Sequence, residues 1–262
     1  MGYHSFELTV TAGVARLVWN QPDTGNTMDE SFCREFGLVA NELTTIKDLR
    51  LVVITARGKY FSLGGDIKTF SKNLANLPNN ILSSVTGLHI GISRLMRLDV
   101  PVIASVHGVA MGGAVAVLAN CDLVLSGRSV KYGAAYHHVA FPCDLGATTG
   151  LASRMGVSRA KRFLMLGEVL DADQAFAAGL VDEVVEDDQL ATVTEDYINK
   201  LANGPTVAFG MVRKLMASAF CQPFDAQLED EAQALVRAAA SEDAREGVEA
   251  FIQRRAPVFK GR

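Results

Sequence analysis

Three glycines, at 108, 112 and 113, constrain this chain more than any other feature. They lie in SVHGVAMGGAVAVLANCD, residues 105–122, after a β-branched run from Val100 to Val106 that Pro101 interrupts. Beyond them comes Ala-Val-Ala-Val-Leu-Ala. Strand, tight glycine turn, helix is the pattern of a backbone that must approach a ligand closely. The N–H of Gly113 then falls in the first helical turn, where amides lack internal partners and the helix dipole is positive. Such an amide can hold an oxygen that gains negative charge during a reaction. The stretch is also about as long as a membrane span, but its glycines, Pro101, His107 and Asn120 argue against that reading. GVAMGG matches neither the GxxxxGK phosphate loop nor GxGxxG.

A second stretch has the same pattern. Leu51–Thr55, LVVIT, reads as a buried strand, and ARGKYFSLGGDIKTF follows it. Gly64 and Gly65 end a turn, and Asp66-Ile-Lys-Thr-Phe opens a helix with an acidic first turn. Two strand–glycine–helix units, each offering one backbone N–H, can together form a two-donor oxyanion hole.

Composition narrows the class. The chain has 262 residues, 49% of them hydrophobic and 21% charged, enough for one core with an appendage. A net charge of −4, with no Lys/Arg run beyond two residues, argues against nucleic acid as a partner. Cysteines 33, 121, 143 and 221 form no CxxC pair and no metal-ligand spacing, so reduced thiols and no metal site are expected. MGYHSFELTV lacks the basic and apolar segments of a signal peptide, which predicts a cytoplasmic chain without a membrane partner.

In order, Phe6–Val10 and Val14–Trp19 predict a hairpin. Asn26 or Thr27 caps a helix from Met28 to about Thr45. KNLANLPNN, residues 72–80, reads as an interruption, and a periodic helix follows from Ile81 to Arg97. Strands are predicted at Val102–Val106, Leu123–Leu125, Val130–Tyr132 and Val181–Val185. Helices are predicted at Ala147–Met155, Arg159–Leu166 and Ala172–Ala178. From Gln189 the chain is helical, with breaks at Gly204-Pro205 and Gln222-Pro223. Alternating short strands and helices predict an α/β core with an all-helical last third.

FSLGGDIKTF and HGVAMGGAVAVLANCD together resemble the crotonase (enoyl-CoA hydratase/isomerase) superfamily. The likeness continues through YGAAYHHVAFPCDLGATTGLASRMG, LGEVLDADQAFAAGLVDEVV and EGVEAFIQRRAPVFKGR, in the family's order. The resemblance implies a crotonase-like spiral of ββα units over residues 1–200, with an acyl-CoA site. It also implies a C-terminal helical region, 201–262, that packs trimers or a dimer of trimers. Coenzyme A enters as part of a thioester substrate, with no tightly bound cofactor.

By motif position, the N–H groups of Gly65 and Gly113 polarise the thioester carbonyl and stabilise an enolate, each worth roughly 3–4 kcal/mol. Hydratases of the family place two glutamates around that enolate. Here those positions are Ala116 and Tyr136, and neither a methyl nor a phenol replaces a carboxylate base. A carboxylate stands farther on, at Asp144 in FPCDLGATTG. Phenylacetate-pathway isomerases place a catalytic Asp there, and 4-chlorobenzoyl-CoA dehalogenases a nucleophilic one. One base suffices to move a proton from C2 to C4 of a 3-enoyl thioester. The competing role for Asp144 is to cap the Gly146–Met155 helix.

His89 matches a dehalogenase histidine in spacing, and Tyr136 falls near that enzyme's tryptophan. The C-terminal stretch is closer to the phenylacetate-type isomerases, so 3-enoyl to 2-enoyl isomerisation leads. A decayed acyl-CoA binding protein and a dehalogenase-like or hydrolytic reaction on a ring-bearing thioester remain alternatives. For coenzyme A, the resemblance implies contacts from Leu63, Lys68, Phe259 and Lys260, the last two from a neighbouring subunit. Thr24 stands where many members carry a basic residue. Proline at position 113 is compatible with a first helical turn.

Overall fold

The computed structural model describes residues 2–262. Strands β1 (Phe6–Thr11) and β2 (Val14–Trp19) form the predicted hairpin and lead to α1 (Glu30–Leu43) and β3 (Leu51–Ala56). Next come α2 (Ile67–Ser71), α3 (Leu77–Met96), β4 (Val102–Val106), β5 (Val109–Met111) and α4 (Gly113–Ala119). The middle of the chain supplies β6 (Leu123–Gly127), β7 (Lys131–Gly133), α5 (Ala147–Met155) and α6 (Val157–Leu166). After β8 (Val169–Asp171), α7 (Ala172–Ala177) and β9 (Glu183–Val185), only helices follow. These are α8 (Leu190–Ala202), α9 (Thr206–Ser218), α10 (Phe224–Ala239) and α11 (Glu242–Gln253).

The strands sort into two sheets. The larger runs β1-β2-β3-β4-β6-β9, parallel throughout except for the β1–β2 hairpin, and the smaller runs β5-β7-β8. Successive strand pairs therefore split: β4 joins the large sheet and β5 the small one, then β6 the large and β7 the small. Each pair is followed by helix, which is the ββα spiral. Even the turn after β3 takes part, because Ser62 bridges Ala110 in parallel.

A parallel sheet covered on both faces needs strands that are apolar on both sides, and β3 and β4 supply them. Val52, Ile54, Val102 and Ala104 face the main core with α1 and α3, whereas Leu51, Val53 and Ile103 face Ile198 of α8. Trp19, Phe32 and Phe61 anchor the main core, with the Trp19 ring centroid 5.0 Å from that of Phe32 and 4.9 Å from that of Phe61.

Several boundaries differ from the sequence reading. α1 is capped by Asp29, whose carboxylate accepts from the Phe32 N–H at 2.8 Å. Asn26 is engaged elsewhere, accepting from the Gln21 N–H and donating to the carbonyls of Arg57 and Tyr60. α3 starts at Leu77, after a short 3₁₀ turn over Leu74–Asn76, because Pro78 falls where its missing N–H costs nothing. β5 and β8 have three residues each, too few to show an alternation.

Candidate active site

The two glycine turns meet. The Ser62 N–H donates to the Val109 carbonyl and the Met111 N–H returns to the Ser62 carbonyl, both at 3.0 Å. The segment entering α2 thus runs beside β5. Gly64 has φ 84°, and a Cβ there would lie 2.8 Å from the Met111 carbonyl oxygen, so only glycine fits. The Ser62 hydroxyl donates to the Asn26 carbonyl and accepts from the Gly64 N–H, while the Met28 N–H donates to the Gly64 carbonyl at 2.8 Å. These bonds fix the peptide that leads into Gly65. Gly113 is the first residue of α4, where the N–H has no helical acceptor. Among the described residues, the N–H groups of Gly65 and Gly113 meet no acceptor. Both glycines line the same cavity of about 250 Å³.

Asp144 and Tyr136 line that cavity too. The Tyr136 hydroxyl donates to Asp144 Oδ1 at 2.9 Å. Burial, and then the carboxylate's charge and hydrogen bond, push the phenol well above the ordinary tyrosine range, so it stays a neutral donor. Asp144 Oδ2 has no protein partner among the described residues.

The loop carrying both residues is strained: Ala135, Ala140 and Leu145 have φ of 52°, 56° and 52°. Such left-handed residues persist only where surroundings hold them. At Leu145 the N–H donates to His89 Nε2 at 3.3 Å and the carbonyl accepts from Asn120 Nδ2 at 3.1 Å. The same Asn120 amide donates to the Ala116 carbonyl, which ties the loop to α4. Asp144 does not cap α5 with its side chain. Gly146 occupies the cap without a side-chain bond, and the Ala147 N–H reaches the backbone carbonyl of Asp144.

The remaining predicted residues divide. Leu63 lines the cavity and is 42% exposed. His89 is outside the lining, with Nε2 occupied as an acceptor from Leu145. Lys68 is exposed on α2 and outside the lining. Phe259 and Lys260, in the segment that follows α11, fold back against that helix of their own chain. The Lys260 N–H donates to Asp243 Oδ1 at 2.6 Å, and the Phe259 ring covers Gly247. Ala116 is fully buried in the core and does not reach the cavity.

Met28, Cys33, Ser84 and Cys143 also line the cavity, and sequence reasoning missed all four in this role. Met28 had one accessible signal, its place two residues after the Asn of the first loop. A Cβ on Gly113 would lie 2.6 Å from Met28 Sδ, so proline there adds a packing conflict that the first-turn rule does not foresee. Burial is the first cause that raises the Cys33 thiol to about 12, and it raises Cys143 as well. Among the described residues, no cluster of three His, Cys, Asp or Glu side chains could hold a metal ion. No described helix is long and apolar enough to cross a membrane.

Two strand–glycine–helix turns with free amides over one apolar cavity, on a ββα spiral, make this a crotonase-like fold. The family model for enoyl-CoA hydratase/isomerase matches residues 9–262, and the chain belongs to that family. The 1,2-epoxyphenylacetyl-CoA isomerase of Escherichia coli is 30% identical over 254 residues, covering 97% of each chain. The 2,3-dehydroadipyl-CoA hydratase of the same organism is 28% identical, covering 95% of this chain and 96% of its own. The crystal structure of an enoyl-CoA hydratase/isomerase family protein from Mycobacterium abscessus is 31% identical. It superposes with a TM-score of 0.92 over 98% of this chain and 100% of its own.

Proposed function

We propose that this chain isomerises a 3-enoyl-CoA to the 2-enoyl-CoA, with Asp144 as the single acid/base. The observation that carries the reading is that, among the described residues, Asp144 is the one carboxylate lining the cavity, with Gly65 and Gly113 on the same lining. Asp144 Oδ2 takes a proton from C2, and the electron pair moves through the carbonyl to give a dienolate. The dienolate oxygen accepts hydrogen bonds from the two glycine amides. The neutral carboxyl then returns the proton to C4, which leaves the double bond at C2–C3 and regenerates Asp144. Tyr136 holds the carboxyl plane through Oδ1 and leaves Oδ2 for the proton.

Hydration would need a second group to hold and activate water, and a buried methyl at position 116 supplies none. Ring-directed displacement would need a base from His89, whose Nε2 is committed to Leu145. Leu63, on the cavity lining, and Lys68, exposed on α2, would meet the coenzyme A portion. Phe259 and Lys260 contribute from a neighbouring subunit of a trimer or dimer of trimers built through residues 201–262.

The test is a comparison, in one assay, of wild-type isomerisation of 3-hexenoyl-CoA with hydration of crotonyl-CoA. Isomerisation faster than hydration supports the reading, and hydration at an equal or greater rate overturns it.

A further inference from the structure

The cavity that takes the acyl group has a one-sided chemistry. Ile67 and Phe70 of α2, Ile81, Val85 and Leu88 of α3, and Phe141 give it apolar walls. Its ionisable groups are Cys33, Tyr136, Cys143 and Asp144. All four are acids, and no Lys, Arg or His side chain of the described residues lines the space. The two free amides, at Gly65 and Gly113, are directed to the thioester carbonyl in the reading above.

We infer that the pocket accepts acyl groups with an uncharged, apolar far end and rejects acyl groups that carry a terminal carboxylate. This inference rests on the acyl-CoA reading. A carboxylate offers about four acceptor sites, and beyond the oxyanion amides the lining has the Ser84 hydroxyl, two thiols and a phenol already bonded to Asp144. A charge buried with neither a counter-ion nor a full set of donors is strongly unfavourable. Asp144 adds like-charge repulsion. The pocket's own acids report the same penalty, since burial is the first cause raising Cys33, Tyr136 and Cys143. At about 250 Å³ the cavity falls below the ~300–1,000 Å³ of sites that enclose a drug-sized ligand. It therefore encloses the acyl group while coenzyme A stays outside.

The experiment uses saturated thioesters, which bind without turnover, so it is independent of Asp144 chemistry. Hexanoyl-CoA, adipyl-CoA and free coenzyme A are titrated into the wild-type protein by calorimetry. Hexanoyl-CoA should bind about a hundredfold more tightly than adipyl-CoA, and adipyl-CoA no more tightly than free coenzyme A. Affinities for the two thioesters within about threefold of each other, both tighter than free coenzyme A, would overturn the charge discrimination and leave the acyl-CoA reading standing. Equal affinity for hexanoyl-CoA and free coenzyme A would overturn both.

Discussion

The Tyr136 hydroxyl donates to Asp144 Oδ1 at 2.9 Å across a loop in which Ala135, Ala140 and Leu145 all have positive φ. Tyr136, where the resemblance puts a hydratase glutamate, thus bonds a carboxylate supplied from eight residues farther on, and in the proposed reaction it orients that carboxylate. Removing the hydroxyl should loosen that carboxyl without emptying the pocket. Tyr136→Phe should lower kcat for 3-enoyl-CoA isomerisation by about tenfold, with KM nearly unchanged, because misplacement of a reacting group costs rate. Steady-state kinetics with 3-hexenoyl-CoA tests this, and an unchanged kcat would remove Tyr136 from the machinery.

Gly113 can be tested by a pair of variants. Gly113→Ala and Gly113→Pro both place a Cβ near Met28 Sδ, the end of a flexible side chain. Only the proline also removes the amide hydrogen. Gly113→Pro should therefore fall below Gly113→Ala by about 10²–10³ in kcat, the worth of one oxyanion donor. Equal rates in the two variants would mean that the Gly113 N–H does not act on the substrate.

Stability should decline at alkaline pH. Burial raises the thiols of Cys33 and Cys121 from 9.0 to about 12. The unfolded chain therefore loses these protons first, and the folded state keeps them. Their contribution is complete below pH 9 and is lost as pH rises toward about 12. The slope approaches about 1.4 kcal/mol per pH unit for each thiol. Urea unfolding between pH 8 and 10.5 should show this fall, and Cys33→Ala with Cys121→Ala should make it shallower. The change in slope is the readout, since the alanines cost packing at every pH.

The C-terminal helices leave Phe220, Phe224, Leu235 and Phe251 between 73% and 90% exposed. Exposed apolar side chains of that size are the surface that the proposed trimer or dimer of trimers would cover. Light scattering at micromolar concentration should give three or six times the mass of the chain. A monomer would contradict the proposed assembly.

What the sequence revealed was local. The glycine turns at 64–65 and 112–113 were legible because strand, glycine and helix follow one another within a few residues. Asp144 stood out for the same reason, in a segment whose motif is contiguous. The Ser62 ladder to Val109 and Met111, the Met28–Gly64 bond and the grip of His89 and Asn120 on Leu145 all join distant parts of the chain. No periodicity encodes such pairings. His89 is one such case: its spacing matched a dehalogenase histidine, and in the structure its Nε2 accepts the Leu145 N–H next to Asp144. Asp144 likewise had two readings in sequence: its side chain bonds Tyr136 and caps no helix, which removes the cap reading and leaves the catalytic one as our proposal.

The most direct test of the central claim is kcat for Asp144→Asn with 3-hexenoyl-CoA, measured beside its melting temperature. Asparagine keeps the shape and the acceptor for Tyr136 but cannot take the C2 proton. A loss of about 10²–10⁴ in kcat is predicted, the usual worth of a positioned general base. The melting temperature should scarcely move, because this side chain caps no helix. A variant that isomerises within a few-fold of wild type would contradict the assignment of Asp144 as the base.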